Sequence, residues 1–159
     1  MYPLQPMLRI RETRVDRSLS ELVRARRVRA EAERVRDEKH QKVLDYESTR
    51  EERRDRIYAT VIGKTVSRED LDRTREAVKS VDEEGVLLAQ DESRAQQTLE
   101  ERTEEAKKAK RDFVIAERNK EKIVMHREIW EEEDLHERQR AEDLELEEFT
   151  GHRGEDEES

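Results

Sequence analysis

The strongest constraint on the fold is an apolar repeat in the C-terminal half of the chain. Alternating steps of three and four residues from Leu71 to Glu148 visit 23 positions, and 14 of them are apolar. That is about 60%, compared with 31% for the whole chain, and no skip interrupts the repeat. An apolar stripe with this period is typical of a helix that packs against another helix. The repeat therefore predicts one continuous helix over residues 68–148, about 120 Å long at 1.5 Å per residue.

Composition leaves few alternatives to an all-α fold. Charged residues make up 48% of the chain, and it contains only two Phe and one Trp, too little apolar material for a globular core. Both prolines lie among the first six residues, and between residues 7 and 150 the only glycines are Gly63 and Gly85. Long uninterrupted runs of Glu, Arg, Lys, Ala and Leu favour helix over disorder.

A second, less regular repeat predicts another helix over residues 7–62. Its apolar members are Leu8, Val15, Leu19, Leu22, Ala25, Val28, Ala32, Val35, Val43, Tyr46, Ile57 and Val61. Their spacing predicts a shift of register between Leu22 and Val28. We expect an extended segment over residues 1–6, which hold both prolines, and a disordered acidic tail over residues 149–159.

The stretch "VIGKTVSRED" separates the two predicted helices. Its Gly-Lys-Thr triplet resembles the end of a phosphate-binding loop, but that loop needs a glycine where this chain has Tyr58. Gly63 can instead adopt the left-handed conformation that ends a helix, and Ser67 with Asp70 can cap the next one. Residues 63–67 are therefore predicted to form the turn of a helical hairpin.

The hairpin interpretation predicts which residues face each other. A turn at Thr65 and Val66 places Lys39 opposite Glu92, and Tyr46 opposite Gly85, where the missing side chain leaves room for a ring. The same register pairs Val43 with Leu88, Val35 with Ala95, Ala32 with Leu99, Ala25 with Ala106, Leu22 with Ala109, and Val15 with Ala116. We expect a two-helix antiparallel coiled-coil hairpin formed within one chain, with the second helix longer than the first and the protein a monomer.

The longer second helix must extend past the first. We expect Tyr2 and Leu4 to cover part of this extension by lying against the region Met125–Trp130. Beyond it the repeat turns polar at Asp134, which is typical of a helix without a partner. Trp130 itself is either a covered seam residue or a partly exposed anchor for a partner, since aromatic residues dominate binding hot spots.

Charge is distributed unevenly along the chain, whose net charge is −9. Residues 9–36 contain ten Arg and five acids, whereas residues 128–159 contain fifteen acids and three Arg. The net charge argues against nucleic acid as the main partner, and no apolar stretch is long enough to enter a membrane. The Arg-rich face is either a solvated flank or a docking site for an acidic protein. It consists of Arg9, Arg11, Arg14, Arg17 and Arg24.

The chain offers no pattern typical of catalysis. It has no cysteine, and its histidines (His40, His126, His136 and His152) are too far apart in sequence to predict a zinc site. Two packed helices provide no concave, desolvated pocket in which carboxylates could act as acid and base. We therefore expect no enzyme activity and no cofactor, metal or catalytic residue.

Two short stretches resemble a known family. "YPLQPMLRIRETRVDRSLSELV" (residues 2–23) resembles the start of the YscO (SctO) family, small stalk proteins of bacterial type III secretion systems. "HREIWEEE" (residues 126–133) is similar to a His-basic-x-x-Trp stretch in the chlamydial members. The family residues matched in this chain are Tyr2, Pro3, Leu4, Ile10, Arg11, Arg14, Val15, His126 and Trp130.

The resemblance implies a function as well as a fold. Members of the family, like their flagellar counterpart FliJ, are similar to the shaft of rotary ATPases. They insert into the pore of the hexameric secretion ATPase, reach towards the export-gate protein and handle secretion chaperones. By analogy with rotary shafts, the end that carries both termini is expected in the ATPase pore and the turn towards the export gate. Arg17 of the Arg-rich face and Lys64 of the turn are further expected partner-binding residues. The protein is expected in the cytoplasm, at the inner membrane. The alternatives are a free-standing coiled-coil chaperone or adaptor, and a homodimeric coiled-coil tether.

Overall fold

The computed structural model describes residues 1–155 and contains two α-helices in this range. Helix α1 spans Gln5–Ala59 and helix α2 spans Arg68–Glu155. The chain divides into two units: unit 1 comprises Met1–Ser20 and Lys110–Ser159, and unit 2 comprises Glu21–Ala109. In each unit a segment of α1 packs antiparallel against a segment of α2. The predicted all-α hairpin with a longer second helix is thus confirmed.

The ends of α1 differ from the predicted bounds of 7–62. The helix begins two residues earlier, at Gln5, because Pro6 is tolerated in a first turn, where its missing N–H would have no helical partner. At the other end the backbone N–H of Ile62 donates to the carbonyl of Tyr58 at 3.0 Å, and Gly63 has φ 74°. Gly63 therefore adopts the predicted left-handed conformation after the end of α1. The connection between the helices is longer than the predicted 63–67, since it starts after Ala59.

Helix α2 begins with the predicted capping box. The Ser67 hydroxyl accepts a hydrogen bond from the backbone N–H of Asp70 at 3.2 Å, and the Asp70 carboxylate accepts one from the N–H of Ser67 at 3.2 Å. Hydrogen bonds from Ser67 to the ionised carboxylate lower the pKa of Asp70. The pair satisfies two backbone donors that the first turn of a helix otherwise leaves free.

Unit 2 confirms the predicted register of the hairpin. Arg29 Nε donates to Thr103 Oγ1 at 3.2 Å, and Arg36 Nη1 donates to Gln96 Oε1 at 3.1 Å. Thr103 and Gln96 each lie one residue after the position that the predicted register places opposite the arginine. The buried residues of this unit line one stripe on each helix; they are Leu22, Ala32, Tyr46, Thr74, Val78, Val81, Ala95, Leu99 and Ala106.

In unit 2 the Tyr46 ring packs directly against the backbone of Gly85. The Tyr46 ring is buried, and its hydroxyl donates to the carbonyl of Val81. A Cβ placed on Gly85 would lie 2.6 Å from Cε1 of Tyr46. Gly85 therefore provides the space that the ring occupies, as the sequence predicts.

Two details of the predicted seam are wrong. Glu92 pairs with His40, at 2.7 Å between Nδ1 and Oε1, and not with Lys39. The expected shift of register in α1 is also absent, because Leu19 and Val28 are exposed and lie outside the seam. Polar residues occupy several of the seam positions that an unbroken repeat requires. Arg29 is exposed, and the others are half-buried: Arg11, Ser18, Arg36, Lys39, Arg50 and Arg53.

The register of the hairpin places Arg50 and Arg53 opposite Val81 and Val78. Their side chains turn their charged ends outwards, where Arg50 Nη2 contacts Asp82 Oδ1 at 3.2 Å and Arg53 Nη2 contacts Glu84 Oε2 at 2.7 Å. Val78 and Val81 remain buried. The aliphatic parts of long basic side chains can cover apolar neighbours in this way while their guanidinium groups stay in water.

In unit 1 the packing of the N-terminal part of the chain against α2 extends only as far as Asp134. Leu8 is only 1% exposed and Val15 is buried, whereas every described side chain from Leu135 to Gly151 is exposed. The predicted unpartnered end of α2 is therefore confirmed. The predicted disordered tail of 149–159 is not, because α2 continues to Glu155; the remaining tail residues lie outside the described range.

Candidate functional site

The N-terminal segment and α2 form an aromatic cluster in unit 1, which we call the N-terminal clip. It consists of Tyr2, His126 and Trp130. The Tyr2 hydroxyl and His126 Nδ1 are hydrogen-bonded at 2.8 Å, and the Tyr2 ring lies 5.6 Å from the Trp130 ring between centroids, tilted by 54°. Tyr2 is 5% exposed and Trp130 is half-buried. The predicted placement of Tyr2 against Met125–Trp130 is thus confirmed.

Three of the predicted arginines converge on one groove in unit 1, which we call the basic groove. Arg11, Arg14 and Arg17 line it from α1, and it has a volume of about 250 Å³. Arg14 and Arg17 are exposed and Arg11 is half-buried. The remaining lining residues are Ser18 of α1 and, from α2, Asp112, Ile115, Ala116 and Asn119. The groove combines positive charge with the exposed apolar side chain of Ile115, a chemistry suited to an acidic protein segment.

The other predicted partner-binding residues are not drawn into this groove. Ile10 is exposed on α1, and Leu4 is half-buried in the turn before it. Lys64 is exposed in the connection between the helices, within unit 2.

The hairpin connection carries a second depression, within unit 2. It has a volume of about 480 Å³ and is lined mainly by small and aliphatic side chains: Ile57, Thr60, Val61, Val66, Asp70, Arg73, Thr74 and Ala77. Ile62 is exposed in the same connection. Together these residues give the turn an apolar surface that the sequence interpretation did not include.

Sequence reasoning found the arginines of the basic groove but missed its α2 side. Ile115 lies outside the heptad positions, so the repeat assigned it no role. The sequence nevertheless contained an indication that Ile115 is exposed, because an isoleucine outside the heptad positions has no partner helix to cover it. Asp112 and Asn119 carry no comparable signal, since similar polar residues occur along the whole helix.

Neither a metal site nor a membrane span is found in the part of the chain that the structure describes. No group of three or more His, Asp or Glu residues there is arranged to hold a metal ion. Neither helix has a segment long and apolar enough to cross a bilayer.

Comparison with known proteins identifies one family. A family profile described as "Type III secretion protein YscO" matches residues 4–152. No curated protein matches the sequence significantly.

Two solved structures share the fold. The crystal structure of the type III secretion protein YscO from Vibrio parahaemolyticus matches with a TM-score of 0.85 and 26% identity, covering 92% of each chain. A protein described as a YscO homologue, CT670 from Chlamydia trachomatis, matches with a TM-score of 0.76 and 22% identity, covering 93% of this chain and 91% of its own.

Proposed function

Because this chain belongs to the YscO family of type III secretion proteins, we propose that it is the central stalk of a secretion ATPase complex. In this role it inserts into the pore of the hexameric ATPase, stimulates it and links it to the export-gate protein. The family assignment confirms the resemblance predicted from the N-terminal motif. The proposed role places the protein in the cytoplasm, at the inner-membrane face of the apparatus.

The basic groove is the observation that carries this proposal. A stalk that inserts into a pore contacts its ATPase through side chains on its own surface. Arg11, Arg14 and Arg17 present positive charge beside the exposed Ile115. Such a surface suits acidic segments that line a ring of subunits, and electrostatic attraction would also speed the encounter.

The hairpin connection is the proposed gate-facing end. Lys64 and Ile62 are both exposed there, next to the aliphatic depression lined by Val61 and Val66. An apolar pocket with a nearby charge can hold one anchoring side chain of a partner and orient it. Secretion chaperones are further proposed partners, with no surface assigned to them.

The packing favours a stalk over a free-standing chaperone. A chaperone that wraps an apolar client would expose its own seam, whereas Leu8, Leu22 and Leu99 are buried between the helices. The N-terminal clip also covers one side of Trp130. In this arrangement the seam is used to hold the hairpin together and is not free to bind a client.

Charge reversal in the basic groove tests the proposal. The double substitution Arg14→Glu and Arg17→Glu should reduce stimulation of the purified cognate ATPase at least tenfold, because it replaces two attractive charges by two repulsive ones. Arg26→Glu with Arg27→Glu is the matched control, since both arginines are exposed on α1 but lie outside the groove. Helicity by circular dichroism should be unchanged in both variants.

The outcomes separate the two parts of the proposal. If the wild-type protein neither binds nor stimulates the ATPase, the stalk role is wrong. If the wild-type protein stimulates and both double variants do so equally, the stalk role stands but the basic groove is not its contact surface.

A further inference from the structure

The unpartnered end of α2 carries an apolar face that the hairpin does not use. Four large apolar side chains are exposed in this end of α2: Leu135, Leu144, Leu146 and Phe149. At 3.6 residues per turn, Leu135, Leu146 and Phe149 fall within about 60° of one another around the helix. Leu144 lies on the opposite side. We call the three aligned residues the apolar face of the extension.

This face is distinct from a continuation of the hairpin seam. The heptad positions in the extension are Glu137, Ala141, Leu144 and Glu148, which are mostly polar or small. Leu135, Leu146 and Phe149 fall outside those positions. A longer partner helix in the same register would therefore leave the apolar face uncovered.

The charge around the face points to a basic partner. Residues 131–149 contain ten acids and two arginines. Glu131 and Glu142 lie on the same side of the helix as the apolar face, and Arg138, the nearest arginine, is already paired with Asp134 at 2.5 Å. Carboxylates edging an apolar strip attract a positively charged groove and repel an acidic one.

We propose that residues 135–149 form a docking helix for a lysine- or arginine-rich protein groove with an apolar floor. The helix would lie in the groove as amphipathic recognition helices do. One pocket of the groove would take Leu135, and a second, about 17 Å further along, would take Leu146 and Phe149. The extension suits this use because it is already helical as a continuation of α2, so a partner need not nucleate it.

The proposal predicts that one side of the extension binds and the other does not. Leu146 and Leu144 are a matched pair, because they are two residues apart and are 62% and 60% exposed. The probe is a synthetic amphipathic helix of lysine and leucine, titrated against the full-length protein by fluorescence anisotropy. Leu146→Ser should weaken binding at least fivefold and Leu146→Ser with Phe149→Ser at least twentyfold, whereas Leu144→Ser should change it less than twofold.

Control probes define the chemistry of the partner. Replacing every lysine of the peptide by glutamate should abolish binding, and raising the ionic strength should weaken binding of the lysine peptide. The proposal is overturned if Leu144→Ser and Leu146→Ser weaken binding equally, or if the variants bind like the wild type.

The same variants test two other occupants of the apolar face, a second copy of this chain and a membrane surface. Light scattering of the protein alone would show a dimer that Leu146→Ser disrupts if the face binds a second copy. Sedimentation with anionic phospholipid vesicles would show binding if the face enters a membrane surface. Either result would overturn a lysine- or arginine-rich partner protein as the occupant. The experiment needs no secretion ATPase, so its outcome does not depend on the proposed function.

Discussion

At the scale of single residues, the packing of Gly85 against Tyr46 predicts that a glycine-to-alanine substitution within a helix lowers stability, the reverse of its usual effect. Alanine is favoured over glycine inside a helix by about 1 kcal/mol. Here the added Cβ would lie 2.6 Å from the buried Tyr46 ring, whose hydroxyl is bonded to the Val81 carbonyl. We expect Gly85→Ala to lower the free energy of unfolding by about 1–3 kcal/mol, as overpacking does, in urea denaturation followed by circular dichroism.

Two variants test whether the ring is the cause. Gly151→Ala should not destabilise the protein, because nothing lies within 4 Å of a Cβ at that position. In a Tyr46→Leu background, Gly85→Ala should no longer destabilise. If it destabilises equally there, the contact with the ring is not responsible.

Residue by residue, the apolar repeat predicted α2 better than α1. The heptad positions of α2 from Thr74 to Asp134 are all buried or half-buried, because apolar residues mark most of them. In α1 the seam includes Arg11, Ser18 and Arg50, which a search for apolar residues passes over. A repeat drawn only through apolar residues passes through Leu19 and Val28 and predicts a shift of register that the structure does not show. Long arginines can fill a seam only by bending their charged ends outwards, which periodicity does not reveal.

At the scale of the elements, the capping box gives α2 a dependence on pH. Hydrogen bonds from Ser67 lower the pKa of Asp70 below its usual value in the folded state. The stability that Asp70 contributes is therefore present above its ordinary pKa near 4 and is lost as the pH falls through the lower, folded value. We expect the melting temperature of the wild type to exceed that of Asp70→Asn at pH 7, and the difference to shrink towards pH 2.

The comparison with a second carboxylate isolates the cap. Asp72→Asn removes an exposed acid from the same turn of α2 but leaves the cap intact. It should alter the melting temperature less than Asp70→Asn does at pH 7. If both variants lose the same amount, the effect belongs to general charge in the first turn and not to the capping box.

The N-terminal clip is the second element that can be tested on its own. Trp130 is the only tryptophan of the chain, so its fluorescence reports the clip alone. Tyr2→Ala should shift the emission of Trp130 to longer wavelength, because removal of the ring opens Trp130 to water. Tyr2→Phe should shift it less, since it loses only the hydrogen bond to His126 and keeps the ring contact. Equal spectra for all three proteins would show that Tyr2 does not cover Trp130 in solution.

The clip was predictable and the basic groove only partly so. The lengths of the two predicted helices left Trp130 without a partner in α1, and the N-terminal segment that holds Tyr2 and Leu4 is long enough to reach it. In contrast, the groove depends on the side-chain conformations of Arg11, Arg14 and Arg17, and on Ile115 lying beside them. Sequence spacing places these residues on neighbouring faces but does not determine how their side chains converge.

At the scale of the whole molecule, the proposed stalk role requires that the two helices pair within one chain. The contacts between His40 and Glu92 and between Arg36 and Gln96 fix that pairing in unit 2. The chain has no cysteine, so a pair introduced at two chosen positions is the only one present. We expect His40→Cys with Glu92→Cys, treated with a short bismaleimide, to yield a product that migrates as a single chain of about 19.1 kDa on a denaturing gel.

A displaced pair provides the control for this cross-link. His40→Cys with Glu105→Cys should not react within one chain, because the register of unit 2 puts position 105 opposite Arg27, about 20 Å along α1 from His40. If the first pair instead gives a species of twice the mass at low protein concentration, the helices pair between chains. The homodimeric tether would then replace the stalk, since two helices clasping another copy could not present the basic groove of a single hairpin to an ATPase pore.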